Sequence, residues 1–422
     1  MAQRAIREYD AKRLLAAQLP KYCSVAYAPE MAAVSVGTDL DALAKENPWL
    51  LQKKLVVKPD QLFGKKGKAG LVLLDAPWEN AKKFLKEKLG SEATAGKTTG
   101  TLERFIVEPF VAHKNEYYFA ITAERDADAL MFSPSGGIDI EENWESVRVL
   151  KVPVGEKAQK PAVIDALLAG MPEKDKQIAA EFIAGLHAAF CALGMTFLEL
   201  NPFTIVEGKP VPLGLVVRLD DTSEFEHATE WKGIEFPTPF GRKLSAEERS
   251  VEELDEKTGA SLKLTVLNPK GRIWTLVAGG GASVIYADTV ADLGYANDLA
   301  VYGEYSGDPN EEDTYQYAKT VIGMMLKDGK KKALLIGGGI ANFTDVAQTF
   351  AGIIRALKES GPALAKSGSR IFVRRGGPNY QQGLDGMRRL GQEIGVQIEV
   401  YGPETHMTKI VPLAVEWLQK GR

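Results

Sequence analysis

Three stretches of the sequence place charged residues or glycines where an anion or a metal ion could be held. In "VVKPDQLFGKKGKAG", Lys58 ends an apolar run and is followed by a loop carrying Lys65, Lys66, Lys68 and several glycines. Ammonium groups beside bare backbone amides suit a polyphosphate. The spacing departs from the GxxxxGK[ST] pattern of a P-loop, so a solvated basic hairpin accounts for it equally well. In "FLELNPF", Glu199 and Asn201 stand two apart and share one face of a strand. A carboxylate and an amide oxygen suit magnesium with phosphates completing the shell, although strand alternation alone also produces such pairs.

The third stretch is "LLIGGGIANFTD", Leu334 to Asp345, with glycines at 337 to 339 closing an apolar run. Bare amides at a helix start suit carboxylate oxygens. Asn342 is read as the cap of the following helix, with Asp345 reaching back, and the glycines as a tight turn. "YSGDPNEED" is read in the same way, with Asp308 as cap, Pro309 first in the helix and Glu311 as the reciprocal acid. In "VRRGGPNY", Arg374 and Arg375 end a strand and point to opposite faces, so one can pair within the fold while the other reaches a crevice. Each charge-assisted bond from such an Arg to a carboxylate is worth ~1.5–3 kcal/mol.

The elements that must position these residues fall into two patterns. From about Arg272, five strand-sized apolar runs end in glycine or polar turns: "IWTLVAGGGAS", "LAVYGEYSG", "ALLIGGGIANFT", "IFVRRGGPNY" and "VQIEVYGPE". Helical spacing lies between them, as at Val346, Phe350, Ile353, Ile354 and Leu357. This alternation predicts βαβ units, a parallel sheet and ligands at the carboxyl ends of its strands. The first half predicts α+β structure: a helix near Glu8 to Leu19, a meander through "FIVEPF", "NEYYFAITAERD" and "ALMFSPSGGIDIE", and a helix over Asp175 to Leu193. A strand pair then turns at Glu207-Gly208-Lys209. The Pro- and Gly-rich "FPTPFGRKLSAEERS" places a domain boundary between residues 1–243 and 244–422.

A chain of 422 residues, 45% hydrophobic and 26% charged with net charge of −4, fits two or three globular domains. It lacks the basic excess needed for a nucleic-acid backbone. No run approaches the roughly 18 apolar residues of a membrane span, and the start lacks an apolar signal core, so a cytoplasmic location with no membrane partner is expected. Cys23 and Cys191 lie far apart, and Cys191 is read as a small buried thiol. Of the four histidines none has metal-ligand spacing, and His187 is read as a packed core residue. No nucleophile elbow or GxGxxG is present, so catalysis complete within this chain is not expected.

These stretches, with "LNPKGRIWTLVAGGGASVIYADT", "VYGEYSGDP", "IVEPFV", "GIEFPTPFGR" and "ETHMT", closely resemble the ATP-binding part of the ATP-citrate lyase family in its split two-subunit form. The resemblance runs essentially end to end. More distantly, the layout is similar to the β subunit of succinyl-CoA synthetase. The family implies an ATP-grasp domain followed by a flavodoxin-like domain. It also implies a stepwise reaction: ATP phosphorylates a histidine, the phosphoryl group passes to citrate, CoA gives citryl-CoA, and cleavage yields acetyl-CoA and oxaloacetate.

By this resemblance Lys58, Lys66 and Gly67 would contact phosphates, Glu108, Pro109 and Val111 would frame the adenine, and Glu116 would hold the ribose. Lys66 stands where arginine is common. Asn201 would touch magnesium and Glu199 would meet the phosphohistidine. Gly280, Gly281, Ala282, Asn342, Phe343, Thr344 and Arg375 match the citrate site. The phosphorylated histidine sits in a Gly-His-Ala-Gly setting absent from this sequence, so a partner subunit carrying it, the main CoA contacts and the cleavage step is implied, in a hetero-oligomer. Two alternatives are an acid-CoA ligase β subunit acting on succinate or malate, and a non-catalytic carboxylate-binding subunit. One departure stands out: Gly214 in "VPLGLVV" occupies the place of the family's second magnesium ligand, an aspartate. Asp220 or Asp221 could replace it only if the chain bent back, since the intervening strand spans roughly 20 Å.

Overall fold

The computed structural model describes residues 3–96, 98–137 and 144–420. In chain order the strands are β1 (Gln3–Ile6), β2 (Ala32–Ser35), β3 (Leu55–Pro59), β4 (Leu73–Ala76), β5 (Glu92–Ala95), β6 (Thr98–Thr101), β7 (Arg104–Pro109), β8 (Tyr117–Ala123), β9 (Ala127–Ser133) and β10 (Arg148–Pro153). They continue with β11 (Met195–Val206), β12 (Lys209–Pro212), β13 (Leu215–Asp220), β14 (Ser261–Val266), β15 (Ile273–Ala278), β16 (Val301–Ser306), β17 (Ala333–Gly338), β18 (Arg370–Arg374) and β19 (Ile398–Tyr401). The contacts divide the chain into two units, Met1–Lys243 and Leu244–Arg422.

The first unit is built on two main antiparallel sheets and a two-stranded one, β5-β6. The larger has the order β1-β13-β11-β8-β9-β10, and β12 pairs with the far end of β11. Along β11, Leu198 and Leu200 are buried in a core with Phe182, Ile183 and Leu186 of the helix Glu173–Ala192 and Leu14 and Leu15 of the helix Glu8–Gln18. Alternation therefore turns Glu199 and Asn201 to the opposite face. Glu207 and Gly208 both have positive φ, 51° and 70°, as a two-residue hairpin turn between twisted strands requires.

The smaller sheet has the order β2-β7-β3-β4, and Trp78, Ala81 and Leu85 of the helix Trp78–Lys88 share its core with Val57, Phe105 and Val107. This corrects the expected meander. "FIVEPF" is β7, which pairs with β2 and β3, whereas β8 and β9 pair with each other in the larger sheet. Adjacency in sequence signals strands but not which sheet receives them. The end of the third run of that meander, Ile138 to Glu141, lies outside the described residues.

The second unit holds one six-stranded sheet, β14-β16-β15-β17-β18-β19. The five predicted runs form its parallel part. Numbered among themselves they run 2-1-3-4-5, the flavodoxin-like order, with the switch point between β15 and β17. Both faces are covered. Trp274, Leu276, Leu334 and Ile336 face a core shared with the helices Glu311–Leu326, Val346–Glu359 and Tyr380–Ile394. Ile273, Val277, Ala333 and Leu335 face one shared with the helices Gly280–Val290 and Ile410–Gln419. The antiparallel edge strand β14 pairs with β16 and has no counterpart in the sequence reading.

Both expected helix caps are displaced. The helix Glu311–Leu326 is capped by Asn310, which accepts from Asp313 N at 2.9 Å while Asp313 accepts from Asn310 N at 3.2 Å. Asp308, the expected cap, takes φ 57° in the turn before it. The helix Val346–Glu359 is capped by Asp345, which accepts from Gln348 N at 3.0 Å, so Asn342 lies outside the helix and is exposed. In each case the reading placed the cap too early, because Asx residues two or three apart compete for one role. Cys191 is also exposed rather than buried, on the last turn of its helix.

Candidate functional site

Two cavities collect most of the residues singled out above, one in each unit. The first, of about 390 Å³, has apolar walls from Val56 on β3, Leu74 on β4, Pro109, and Val211 and Leu213 at β12. Lys58, Glu108, Val111, His113 and Glu116 also line it. Flat apolar walls with a few convergent polar groups suit a heteroaromatic ring and its polar substituents. Lys66 and Gly67 lie on the loop after β3 and are not among the lining residues. Lys66 is half-buried, and burial pushes its ammonium below the usual lysine range. Its Nζ lies 5.7 Å from the Phe63 ring centroid.

Lys58 does not hang free in the cavity. Its ammonium donates to Glu8 Oε1 at 2.7 Å and to the Leu213 carbonyl at 2.5 Å, and lies 3.1 Å from Glu108 Oε2. Behind it Lys12 sits 2.7 Å from Glu108 Oε1 and 3.0 Å from Glu8 Oε1. The sequence reading missed Glu8 and Lys12, although their i, i+4 spacing on the first helix was visible. At the other end, His113 Nε2 lies 2.9 Å from Glu116 Oε1 and its Nδ1 lies 2.7 Å from the Val111 carbonyl. Burial opposes the charge on His113, but those two acceptors outweigh it and raise its pKa above 6.5.

On β11, Glu199 is half-buried and hydrogen-bonded to Tyr118, whose own pKa burial and that carboxylate push upward. Asn201 Oδ1 accepts from Gly137 N at 2.9 Å, and the Asn201–Pro202 peptide is cis. These are hard oxygen donors on one strand face and fit a magnesium ion in chemistry. Gly214 adds no donor. Its own carbonyl accepts from Asn201 N at 3.1 Å, and its N–H donates to the Pro202 carbonyl at 3.0 Å. Asp220 is occupied elsewhere, accepting from Thr222 N at 3.1 Å and Thr222 Oγ1 at 2.6 Å.

The second cavity, of about 280 Å³, opens at the switch point of the parallel sheet. Ala278 and Gly279 at the end of β15, Ser306 and Gly307 at the end of β16, and Gly339 after β17 line it. Of the residues expected here, Ala282, Phe343, Thr344 and Arg375 line it, while Gly280, Gly281 and Asn342 do not. Gly279, Tyr305 and Gly307 were missed as lining residues, though "VAGGGAS" and "VYGEYSGDP" had marked their turns. Arg374 and Arg375 divide the work as alternation predicts. Arg374 donates to the carbonyls of Thr405 at 2.9 Å, Gly338 at 3.0 Å and Pro403 at 3.2 Å. Arg375 is 5% exposed, bonds the Gly339 carbonyl at 2.7 Å, and its Nε has no hydrogen-bond partner among the described residues. The same holds for Tyr305 Oη.

The three glycines of "LLIGGGIANFTD" do not act as one tight turn. Gly337 and Gly338 still belong to β17; a Cβ on the former would meet the Tyr286 ring at 2.4 Å, and one on the latter would meet an Arg375 guanidinium nitrogen at 2.8 Å. Only Gly339 faces open space in the cavity.

Outside both cavities, Asp128, His187 and Cys191 gather within 4.8 Å of one another. The Ala158 N–H donates to His187 Nδ1 at 3.2 Å, which leaves the proton of the neutral ring on Nε2, 3.1 Å from Asp128 Oδ2. This is a hydrogen-bonded pair of a buried imidazole and a partly exposed carboxylate, and its Nε2 lone pair is not offered to a metal.

Comparison with known proteins decides the family. Residues 2–231 match the family model described as ATP-citrate synthase ATP-grasp domain, and residues 242–417 match that described as ATP citrate lyase citrate-binding. The chain belongs to the ATP-citrate synthase family. Within it, the ATP-citrate synthase alpha chain protein 2 of Oryza sativa subsp. japonica is 54% identical over 99% of both chains. The human ATP-citrate synthase is 46% identical over 98% of this chain, which spans only 38% of that longer protein. Among solved structures, the ATP citrate lyase of Methanothrix soehngenii, in complex with citrate and coenzyme A, superposes with a TM-score of 0.88 at 51% identity, covering 98% of this chain and 100% of that one. The Methanosaeta concilii ATP citrate lyase, a D541A mutant with (3S)-citryl-CoA, gives 0.89 at 50% identity over the same shares. Family and fold thus agree with the resemblance read from the motifs. No described helix is long and apolar enough to cross a membrane.

Proposed function

We propose that this chain is the nucleotide- and citrate-binding subunit of a two-subunit ATP-citrate lyase, which converts citrate, CoA and ATP to acetyl-CoA, oxaloacetate, ADP and phosphate. Residues 1–243 form its ATP-grasp domain and residues 244–422 its citrate domain. The partner subunit supplies the histidine that is phosphorylated, most CoA contacts and the cleavage of citryl-CoA. The observation that carries the citrate assignment is Arg375, buried at the rim of the switch-point cavity with an unpaired Nε. A tricarboxylate offers the acceptor that this guanidinium lacks, and Gly339, whose backbone faces open space, lines the same cavity.

In the first cavity, Pro109 and Val111 flank the adenine, Glu116 with His113 faces the ribose, and Lys58 reaches the phosphates once released from its carboxylate partners. Lys66 and Gly67 close over the phosphates from the loop. Magnesium, when bound, draws charge from the phosphate oxygens, and Asn201 is the donor that would hold it. Glu199, held beside Tyr118, faces the partner's phosphohistidine and can accept a hydrogen bond from it.

The test is co-expression with a subunit bearing a Gly-His-Ala-Gly segment, followed by assay of acetyl-CoA formation. Formation that requires ATP, citrate and CoA together is the expected result. Thermal shifts of the single chain separate the readings: citrate and Mg-ADP should each raise Tm by mass action. A rise with succinate in place of citrate would favour an acid-CoA ligase, and a rise with citrate but not Mg-ADP a carboxylate-binding subunit without nucleotide chemistry.

A further inference from the structure

Beneath the first cavity lie four interlocked charges, and two of them are outside its wall. Lys12 is 1% exposed and Glu8 and Lys58 are each 8% exposed, so none of these groups is solvated as an isolated ion would be. Glu108 is 14% exposed at the side chain. The two lysines and two glutamates sum to zero. Every carboxylate in the set meets both ammonium groups at 2.7–3.1 Å. Burial alone would raise the pKa of Glu8, yet Lys12 and Lys58, with Lys66 on the nearby loop, outweigh it and hold the carboxyl well below its usual range. The same pairing holds Lys12 charged against the burial that would discharge it.

Removing Lys12 changes what Lys58 can do. Two buried carboxylates would then share one ammonium, the cluster would carry a net charge of −1, and Lys58 would be bound to it more tightly. A polyphosphate arriving in the cavity would meet repulsion from the cluster and would have to compete with two carboxylates for Lys58, the one ammonium left among the four groups, with Lys66 on the loop as the other nearby cation. With Lys12 in place, both carboxylates keep a partner when Lys58 turns toward the ligand.

We propose that Lys12 is a positioning residue for nucleotide binding, neutralising Glu8 and Glu108 from behind the cavity so that the Lys58 ammonium can be transferred from them to a phosphate. This rests on the reading of the first cavity as the nucleotide site. It assigns a role to the chain's first helix, which contributes nothing to the cavity's lining.

Isothermal titration of the full chain with Mg-ADP tests it through charge balance. Lys12→Met should weaken binding by roughly tenfold or more. Adding Glu8→Gln to Lys12→Met restores neutrality and should bring affinity back to within roughly threefold of the unaltered chain, a rescue that repairing packing cannot explain. Citrate-induced thermal shifts should be equal in all variants. Unchanged affinity in Lys12→Met, or a double variant as weak as the single one, overturns the proposal. Should Lys12→Met fail to fold, the neutral double variant and Lys12→Arg still decide it, since both must bind near the unaltered level. Absence of Mg-ADP binding to the unaltered chain overturns the nucleotide reading itself.

Discussion

Gly214 and Asn201 are in backbone contact: a Cβ at 214 would stand 2.4 Å from the Asn201 carbonyl oxygen. The missing carboxylate at 214 is therefore a matter of backbone path as well as of side chain. Gly214→Asp forces a shift in the strand end that carries the proposed magnesium donor. The expected outcome is a loss of about 1–3 kcal/mol in stability with no gain in Mg-ADP affinity, read by denaturant melts and titration calorimetry. A variant that gained affinity without losing stability would show that the two strands yield freely.

Arg374 and Arg375 should separate cleanly under mutation. Arg374→Met leaves the carbonyls of Gly338, Pro403 and Thr405 without their donor and should cost about 2–4 kcal/mol of folding stability. Arg375→Met gives up one carbonyl bond and should melt close to the unaltered chain, while citrate affinity falls roughly tenfold or more. Paired melts and citrate titrations check both.

The displaced cap makes a second contrast. Asp345→Ala removes the side chain that receives Gln348 N and should cost about 1 kcal/mol. Asn342→Ala is expected to change stability by less than about 0.5 kcal/mol, because the residue is exposed and caps nothing. If Asn342 donates to citrate, its effect appears in citrate affinity alone; equal melting losses in the two variants would return the cap to Asn342.

His113 brings a pH dependence. Its folded pKa is raised above 6.5 by Glu116 and the Val111 carbonyl against the effect of burial. A raised pKa means stabilisation that is complete below the unfolded value and lost as pH rises through the folded one. The Tm difference between the unaltered chain and His113→Gln should therefore be largest near pH 6 and shrink above about 6.5 as the ring deprotonates. A difference that grows with pH would reverse the assignment.

What could be read in advance follows the range of the signal. Apolar runs with glycine ends marked β15 to β19, and alternation at the end of β18 foretold that one of Arg374 and Arg375 would pair within the fold while the other reached the crevice. β14 escaped although Leu262 and Leu264 are buried on either side of exposed Lys263, because so short an alternation at a sheet edge precedes the run of βαβ units and stands outside their repeat. Which sheet takes β7 depends on pairing with residues fifty or seventy positions earlier, and no local pattern encodes that. The Glu8, Lys12, Lys58 and Glu108 cluster is likewise assembled from three separate elements, so only its i, i+4 pair left a trace in the sequence.

The 2-1-3-4-5 strand order also bears on how the second unit is made. Its central strand β15 acquires one neighbour through Val277 with Glu304, and the other only when Ile273 meets Ala333. Contacts at such sequence distance pay loop-closure entropy before any burial rewards them, and parallel sheets fold slowly for that reason. The first unit has hairpins at β8–β9 and β11–β12 that can form as soon as each turn is synthesised. On the ribosome those hairpins would form early, while the larger sheet of the first unit closes only when Gln3 meets Asp220, and the strands that frame the carboxylate crevice wait for the chain past Ala333.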